Sequence, residues 1–100
     1  MYGLLIFFYF YIMKKYLVEF LGTLFFLYVI LATNNAFAMG AALAIAVIIG
    51  GNISGGNYNP AVTIMMCAAG RLKQKEVFPY ILSQIAGGLA AFELHKRVRL

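Results

Sequence analysis

Two long apolar runs of the chain are separated by a polar, glycine-rich stretch that reads Gly50-Gly51-Asn52-Ile53-Ser54-Gly55-Gly56-Asn57-Tyr58-Asn59-Pro60-Ala61-Val62-Thr63. Glycine and asparagine at this density do not form a helix that faces lipid. Non-helical backbone at membrane depth survives only where it is buried in protein or lines a cavity. Asn59 is a good N-cap, Pro60 suits the first helical position, and Gly70 favours a left-handed C-terminal cap. The pattern predicts a loop followed by a helix of about ten residues, roughly 15 Å long, which is half a bilayer.

The composition of the whole chain indicates a membrane protein. Of its 100 residues, 64% are hydrophobic and only 11% are charged, whereas a soluble domain carries about 25% charged residues. The net charge of +5 comes from cations that flank the apolar runs. This distribution is typical of membrane topology and not of the basic stripe that binds nucleic acid.

Three apolar runs, of 18, 16 and 18 residues, are predicted to cross a bilayer as helices, and they cover about residues 16–33, 36–51 and 77–94. Eighteen helical residues just cover a hydrocarbon core of roughly 30 Å. Asn34 and Asn35 favour a turn between the first two spans, and Pro79 is expected in the first turn of the third. The predicted fold class is an all-α membrane protein with three transmembrane helices and one re-entrant half-helix, the loop and half-helix covering residues 52–70.

The first dozen residues are set apart from this single membrane domain, which we assign to residues 13–100. Residues 1–12 are apolar, but Lys14 and Lys15 follow them instead of preceding them, which is the reverse of a secretory signal. About 12 residues are too short to cross a bilayer alone. We therefore expect Met13 to be the natural start, with residues 1–12 an untranslated extension or an interfacial anchor.

The segment Ser54 to Thr63 closely resembles the first signature loop of the major intrinsic proteins, the family of aquaporins and glycerol facilitators. Three further stretches resemble the family in the same order: Glu19 to Thr23, Gly70 to Val77, and Tyr80 to Gly88. The resemblance covers residues 13–94 and corresponds to the first of the family's two inverted repeats. It implies half of the aquaporin-like fold, and the second signature loop with its arginine is not among these residues.

The resemblance also implies the residues of a pore. The positions that it places along the pore are Asn59, Pro60, Ala61, Gly55, Gly56, Asn57, Tyr58 and Met39. Asn59 would donate hydrogen bonds to a passing water or hydroxyl, and the carbonyls of residues 55–58 would accept them. Asn57 and Met39 depart from the family, which usually has a histidine and often an aromatic residue there.

Three polar residues are expected to support the signature loop: Glu19, Gln84 and Thr63. A carboxylate inside an apolar helix is costly unless it is paired, so Glu19 has either a functional or a bracing role. In the family the matching glutamate braces the backbone of the signature loop, and we favour this role over proton relay. Gln84 is expected to make a similar contact between helices.

The function implied by the resemblance is passive conduction of water, small uncharged solutes or both, by a channel subunit that pairs with a second half. That half is either a copy of this chain in inverted orientation or a separate chain. Two alternatives remain: a small non-conducting or lesion-forming membrane protein, and an inactive truncated channel fragment. With one histidine, one cysteine and no paired carboxylates, the chain is not expected to be an enzyme or to hold a metal or cofactor. Membrane lipid is an expected partner and nucleic acid is not.

The charges that flank the spans give only a weak orientation. One side carries five cations, Lys14, Lys15, Arg71, Lys73 and Lys75, and the other carries three, Lys96, Arg97 and Arg99. Positive residues favour the cytoplasmic side. A bias of five to three predicts that the chain inserts in both orientations.

Overall fold

A computed structural model describes residues 1–98 of the chain. This part of the protein consists of four helices, which in chain order are α1 (Tyr2–Thr33), α2 (Ala36–Ser54), α3 (Pro60–Ala68) and α4 (Gln74–Arg97). Helices α1, α2 and α4 are long and apolar enough to cross a membrane. The predicted all-α membrane fold, with three spans and one half-length helix, is confirmed. Of the cations assigned to the second side, Arg99 lies outside the described residues.

Helix α1 is much longer than the predicted span, because it begins at Tyr2 and contains 32 residues. Its length of about 48 Å exceeds the hydrocarbon core of a bilayer. Nothing between Leu4 and Tyr16 breaks a helix, and Lys14 and Lys15 are good helix formers. The apolar residues 2–12 therefore extend the helix beyond the lysine pair and are exposed.

The turn between α1 and α2 is made by the two predicted asparagines. Asn34 ends α1 in the left-handed conformation, with φ of 47°. Asn35 caps α2, because its Oδ1 accepts hydrogen bonds from the backbone N–H groups of Phe37 and Ala38, each at 3.0 Å. Each asparagine thus completes one helix terminus.

Helices α2 and α4 both extend beyond the predicted spans. Helix α2 continues through the glycine pair and ends at Ser54. The first glycine of the pair, Gly50, faces Val18 of α1. Helix α4 begins at Gln74, so the expectation that Pro79 lies in the first turn is wrong. Gln74, Lys75 and Glu76 are good helix formers, and the extended backbone of Lys73 starts the helix ahead of them.

Helix α1 lies between α2 and α4, and α3 packs against α4. The backbones of α1 and α4 approach closely at Gly87, where an added Cβ would lie 2.6 Å from the carbonyl oxygen of Phe20. Helix α3 ends at the predicted glycine cap. Gly70 has φ of +77°, and the N–H of Arg71 donates to the carbonyl of Met66 at 2.9 Å. This left-handed turn brings the chain back toward α4.

Candidate functional site

The candidate site is the non-helical part of the signature loop, residues 55–59, which connects α2 to α3. Gly55 and Gly56 have φ of 91° and 64°, and Tyr58 has φ of 56°. The left-handed region suits glycine, but for tyrosine it requires support from surrounding contacts. The geometry of the loop therefore depends on the groups that hold Tyr58.

Glu19 of α1 is fully buried and binds the loop through both carboxylate oxygens. Its Oε2 accepts from Ser54 Oγ at 2.6 Å and from the N–H of Asn57 at 3.0 Å. Its Oε1 accepts from the N–H of Tyr58 at 2.8 Å and from Gln84 Nε2 at 2.9 Å. Burying a carboxylate without partners is costly, because it loses its hydration. The four hydrogen bonds that Glu19 accepts offset this desolvation cost.

Gln84 and Thr63 extend this cluster to α4 and α3. Gln84 Nε2 also donates to Thr63 Oγ1 at 2.7 Å, and Thr63 Oγ1 donates to the carbonyl of Asn59 at 3.0 Å. The Asn57 side-chain amide points to the same hydroxyl, at 3.5 Å. The three residues predicted as structural support are thus brought together by hydrogen bonds. Their roles in a working channel stay predictions.

The side chain of Tyr58 is buried between α1 and α2. Its hydroxyl donates to the carbonyl of Ala46 at 2.6 Å, and its ring occupies space left by Gly22 and Gly50. Because the side chains of Tyr58 and Asn57 are both buried, these residues can reach a solute only through their backbone. Their predicted contribution through carbonyl groups stays a prediction.

Asn59, Pro60 and Ala61 are exposed at the start of α3. Asn59 Oδ1 accepts from the N–H of Ala61 at 2.7 Å, which caps the helix. The Nδ2 group of the same side chain carries two further donor hydrogens that the cap does not use. A groove of about 560 Å³ opens beside Asn59 and Pro60, between α1 and α4.

Met39 stands apart from this cluster. It lies in the first turn of α2 and is half-buried. The distance along α2 from Met39 to Ser54 is roughly 22 Å. The structure therefore does not bring Met39 into the hydrogen-bonded cluster, and its place at a pore mouth stays a prediction.

Residues 8–99 match the family described as major intrinsic protein. The chain belongs to the major intrinsic protein family. The match begins ahead of Met13, so it includes part of the apolar extension. Major intrinsic proteins are multi-pass membrane channels and not enzymes, as predicted from the sequence.

Three relatives within the major intrinsic protein family illustrate the similarity. The chain is 38% identical over 88 residues to glycerol uptake facilitator protein-like 6 of Lactiplantibacillus plantarum, covering 79% of this chain and 41% of that protein. It is 58% identical over 41 residues to aquaporin Z of Photorhabdus laumondii, covering 41% and 18%. It is 46% identical over 63 residues to aquaporin-8 of Notomys alexis, covering 63% and 24%. The chain therefore spans less than half the length of these relatives. No solved structure matches it.

Two residues of this major intrinsic protein contribute to the site without having been singled out from the sequence. Ser54 Oγ accepts the N–H of Gly56 at 3.1 Å while donating to Glu19. The Tyr80 hydroxyl donates to the Ser54 carbonyl at 2.8 Å. The spacing of Tyr80, Gln84 and Gly87 in the sequence places them on one face of a helix. The structure buries all three on that face of α4.

Proposed function

We propose that this chain is one half of a passive channel for water or small uncharged solutes, and that a second half completes the pore. The exposed N-terminus of α3, held by the buried Glu19 cluster, is the observation that carries this proposal. A helix N-terminus carries a partial positive charge, and this holds here although the N–H of Ala61 is capped by Asn59. Asn59 Nδ2 adds donors for a passing oxygen atom, while the positive field opposes cations.

Pairing with a second half is supported by two apolar surfaces that both begin at Asn59. One is the uncovered face of α3, formed by Pro60, Ala61, Ile64, Met65 and Ala68. The other is the groove between α1 and α4. Helix α3 lies beside the first part of α4, near Val77 and Phe78, whereas the groove follows the later part, near Ile85 and Leu89.

A twofold axis near Asn59 would place the uncovered face of α3 of one partner against the groove of the other partner. The half-helix of each partner would then lie in the groove of the other, and the two Asn59 side chains would meet near the axis. Such an interface uses the same patch on both partners. This geometry supports an inverted copy of the chain or a separate chain of the same shape.

The first test is solute flux into liposomes that contain only this chain. We expect osmotic swelling faster than in empty liposomes, and at least a tenfold loss with Asn59→Asp, because this change removes the donor and adds a negative charge. Each 1.4 kcal/mol of barrier changes the rate about tenfold. Asn34→Asp, at the exposed turn between α1 and α2, is the matched control and should keep its flux.

The homomeric pore should also discriminate poorly between solutes. The family's second half supplies an arginine after its signature triplet, whereas Val62 follows Ala61 here in every copy. We expect entry of small polyols and a measurable proton leak with an internal pH dye. Flux that appears only when a second-half chain is added would show that the partner is a separate chain. Release of large dyes would indicate a lesion-forming protein. No flux, either with this chain alone or with a second-half chain, would refute the channel.

Orientation provides a second test of self-pairing. The flanking cations are divided five to three. A reporter that is active on only one side of the membrane, fused after Leu100, should therefore show a mixed topology, with part of the chains in each orientation. Two oppositely inserted populations are what an inverted pair of identical chains requires. A uniform signal from one side would contradict self-pairing and leave only a separate second-half chain.

A further inference from the structure

A salt bridge sets the beginnings of two spans at the same depth. Lys15 Nζ lies 2.8 Å from Glu76 Oε1, and the Tyr16 hydroxyl donates to the other oxygen of Glu76. The apolar run 17–33 of α1 and the apolar run 77–94 of α4 begin immediately after these residues. The salt bridge therefore lies at one edge of the hydrocarbon core, where charged side chains meet the lipid headgroups.

Four further cations lie within five residues of this salt bridge along the chain, and we call them the basic end: Lys14, Arg71, Lys73 and Lys75. Lys14 precedes Lys15 on α1, and the other three lie in or beside the short connection from α3 to α4. The left-handed turn at Gly70 and the bond from the Arg71 N–H to Met66 fix the start of this connection. Arg71, Lys73 and Lys75 are all exposed.

The basic end is not balanced by acidic side chains. The chain has three acidic residues in total. Glu19 is buried against the signature loop, and Glu76 pairs with Lys15. Glu93 lies at the other end of α4, where it pairs with Lys96 at 3.5 Å and Arg97 at 3.7 Å. Within residues 1–98, therefore, the acids are engaged elsewhere and the positive charge of the basic end remains.

We propose that the basic end binds the anionic headgroups of phospholipids in the adjacent leaflet. Cations at the edge of the hydrocarbon core lie at the depth of lipid phosphates, and each adds about fivefold to binding of an anionic surface. Arg71 can bind a phosphate with two parallel hydrogen bonds, and the lysines add compact charge. This lipid site is separate from the pore and does not depend on pairing of two halves.

The test uses the full chain in phosphatidylcholine vesicles with trace spin-labelled phosphatidylglycerol or phosphatidylcholine. We expect a larger motionally restricted fraction for phosphatidylglycerol, lost near 1 M salt, where the screening length is about 3 Å. The triple change Arg71→Gln/Lys73→Gln/Lys75→Gln should remove most of the preference for phosphatidylglycerol. The matched control Lys96→Gln/Arg97→Gln, whose cations already pair with Glu93, should stay within about twofold.

Two further variants separate lipid binding from a folding defect. Lys73→Arg/Lys75→Arg keeps the charge and should keep the preference. Glu76→Gln removes the only acid at this end and should raise the preference. Equal affinity for both labelled lipids, equal loss in the triple variant and in the control, or a lower preference with Glu76→Gln would overturn the proposal.

Discussion

Replacing Glu19 by alanine is expected to lower the free energy of unfolding by about 4 kcal/mol, because it leaves several buried hydrogen-bond donors without an acceptor. The change leaves the N–H groups of Asn57 and Tyr58 buried without their acceptor, at about 1–3 kcal/mol each. It also removes one of the two acceptors of Gln84 Nε2, the other being Thr63 Oγ1. The measurement is denaturant or thermal unfolding of the purified chain in detergent micelles.

Two variants make the Glu19 experiment specific. Glu19→Gln keeps the size of the side chain but turns an NH₂ group toward donors, so it should recover less than half of the lost stability. Glu93→Gln removes an exposed acid and should cost less than about 0.5 kcal/mol. A Glu19→Ala variant as stable as Glu93→Gln would contradict the bracing role.

Adding one methyl group at Gly22 is expected to destabilise the chain by about 3 kcal/mol, the upper range for overpacking a core. The new Cβ would overlap the ring of Tyr58. That ring has little freedom to move, because its hydroxyl is bound to Ala46 and its backbone N–H to Glu19. Gly50→Ala should be similarly costly, since its Cβ would also lie 2.6 Å from Val18 Cγ1.

The control for these glycine variants is Gly40→Ala. No atom lies within 4 Å of the Cβ that it would add, and alanine in a helix is favoured over glycine by up to about 1 kcal/mol. Gly22→Ala combined with Tyr58→Leu should be less destabilised than the sum of the two single changes. Strict additivity would show that the ring is not the source of the cost.

The parts of the fold that were predicted from sequence rest on local signals. Asn59, Pro60 and Gly70 define the start and stop of α3 through the capping preferences of neighbouring residues, and the structure agrees. The helix lengths were underestimated because lipid-span reasoning counts apolar residues only. The lysines before Tyr16 and the polar residues before Val77 continue a helix as readily as they end a hydrophobic run.

The contacts inside the site could be foreseen only in part. The high cost of a buried carboxylate identified Glu19, but its donors lie 35 to 65 positions further along the chain. The spacing of residues within one helix gives no information about hydrogen bonds between residues so far apart in the sequence. The burial of Tyr58 was also missed, because it depends on two glycines that belong to different helices.

The separation of Glu19 from its donors also bears on the order in which the protein assembles. Synthesis delivers α1 and α2 first, then the donors Asn57 and Tyr58, and Gln84 last. Until α4 has docked, Oε1 of the carboxylate has only one of its two donors, the N–H of Tyr58, and Thr63 lacks its link to α4. The half-helix is therefore held in part by the element that follows it, so its full set of hydrogen bonds can form only after α4 has been synthesised.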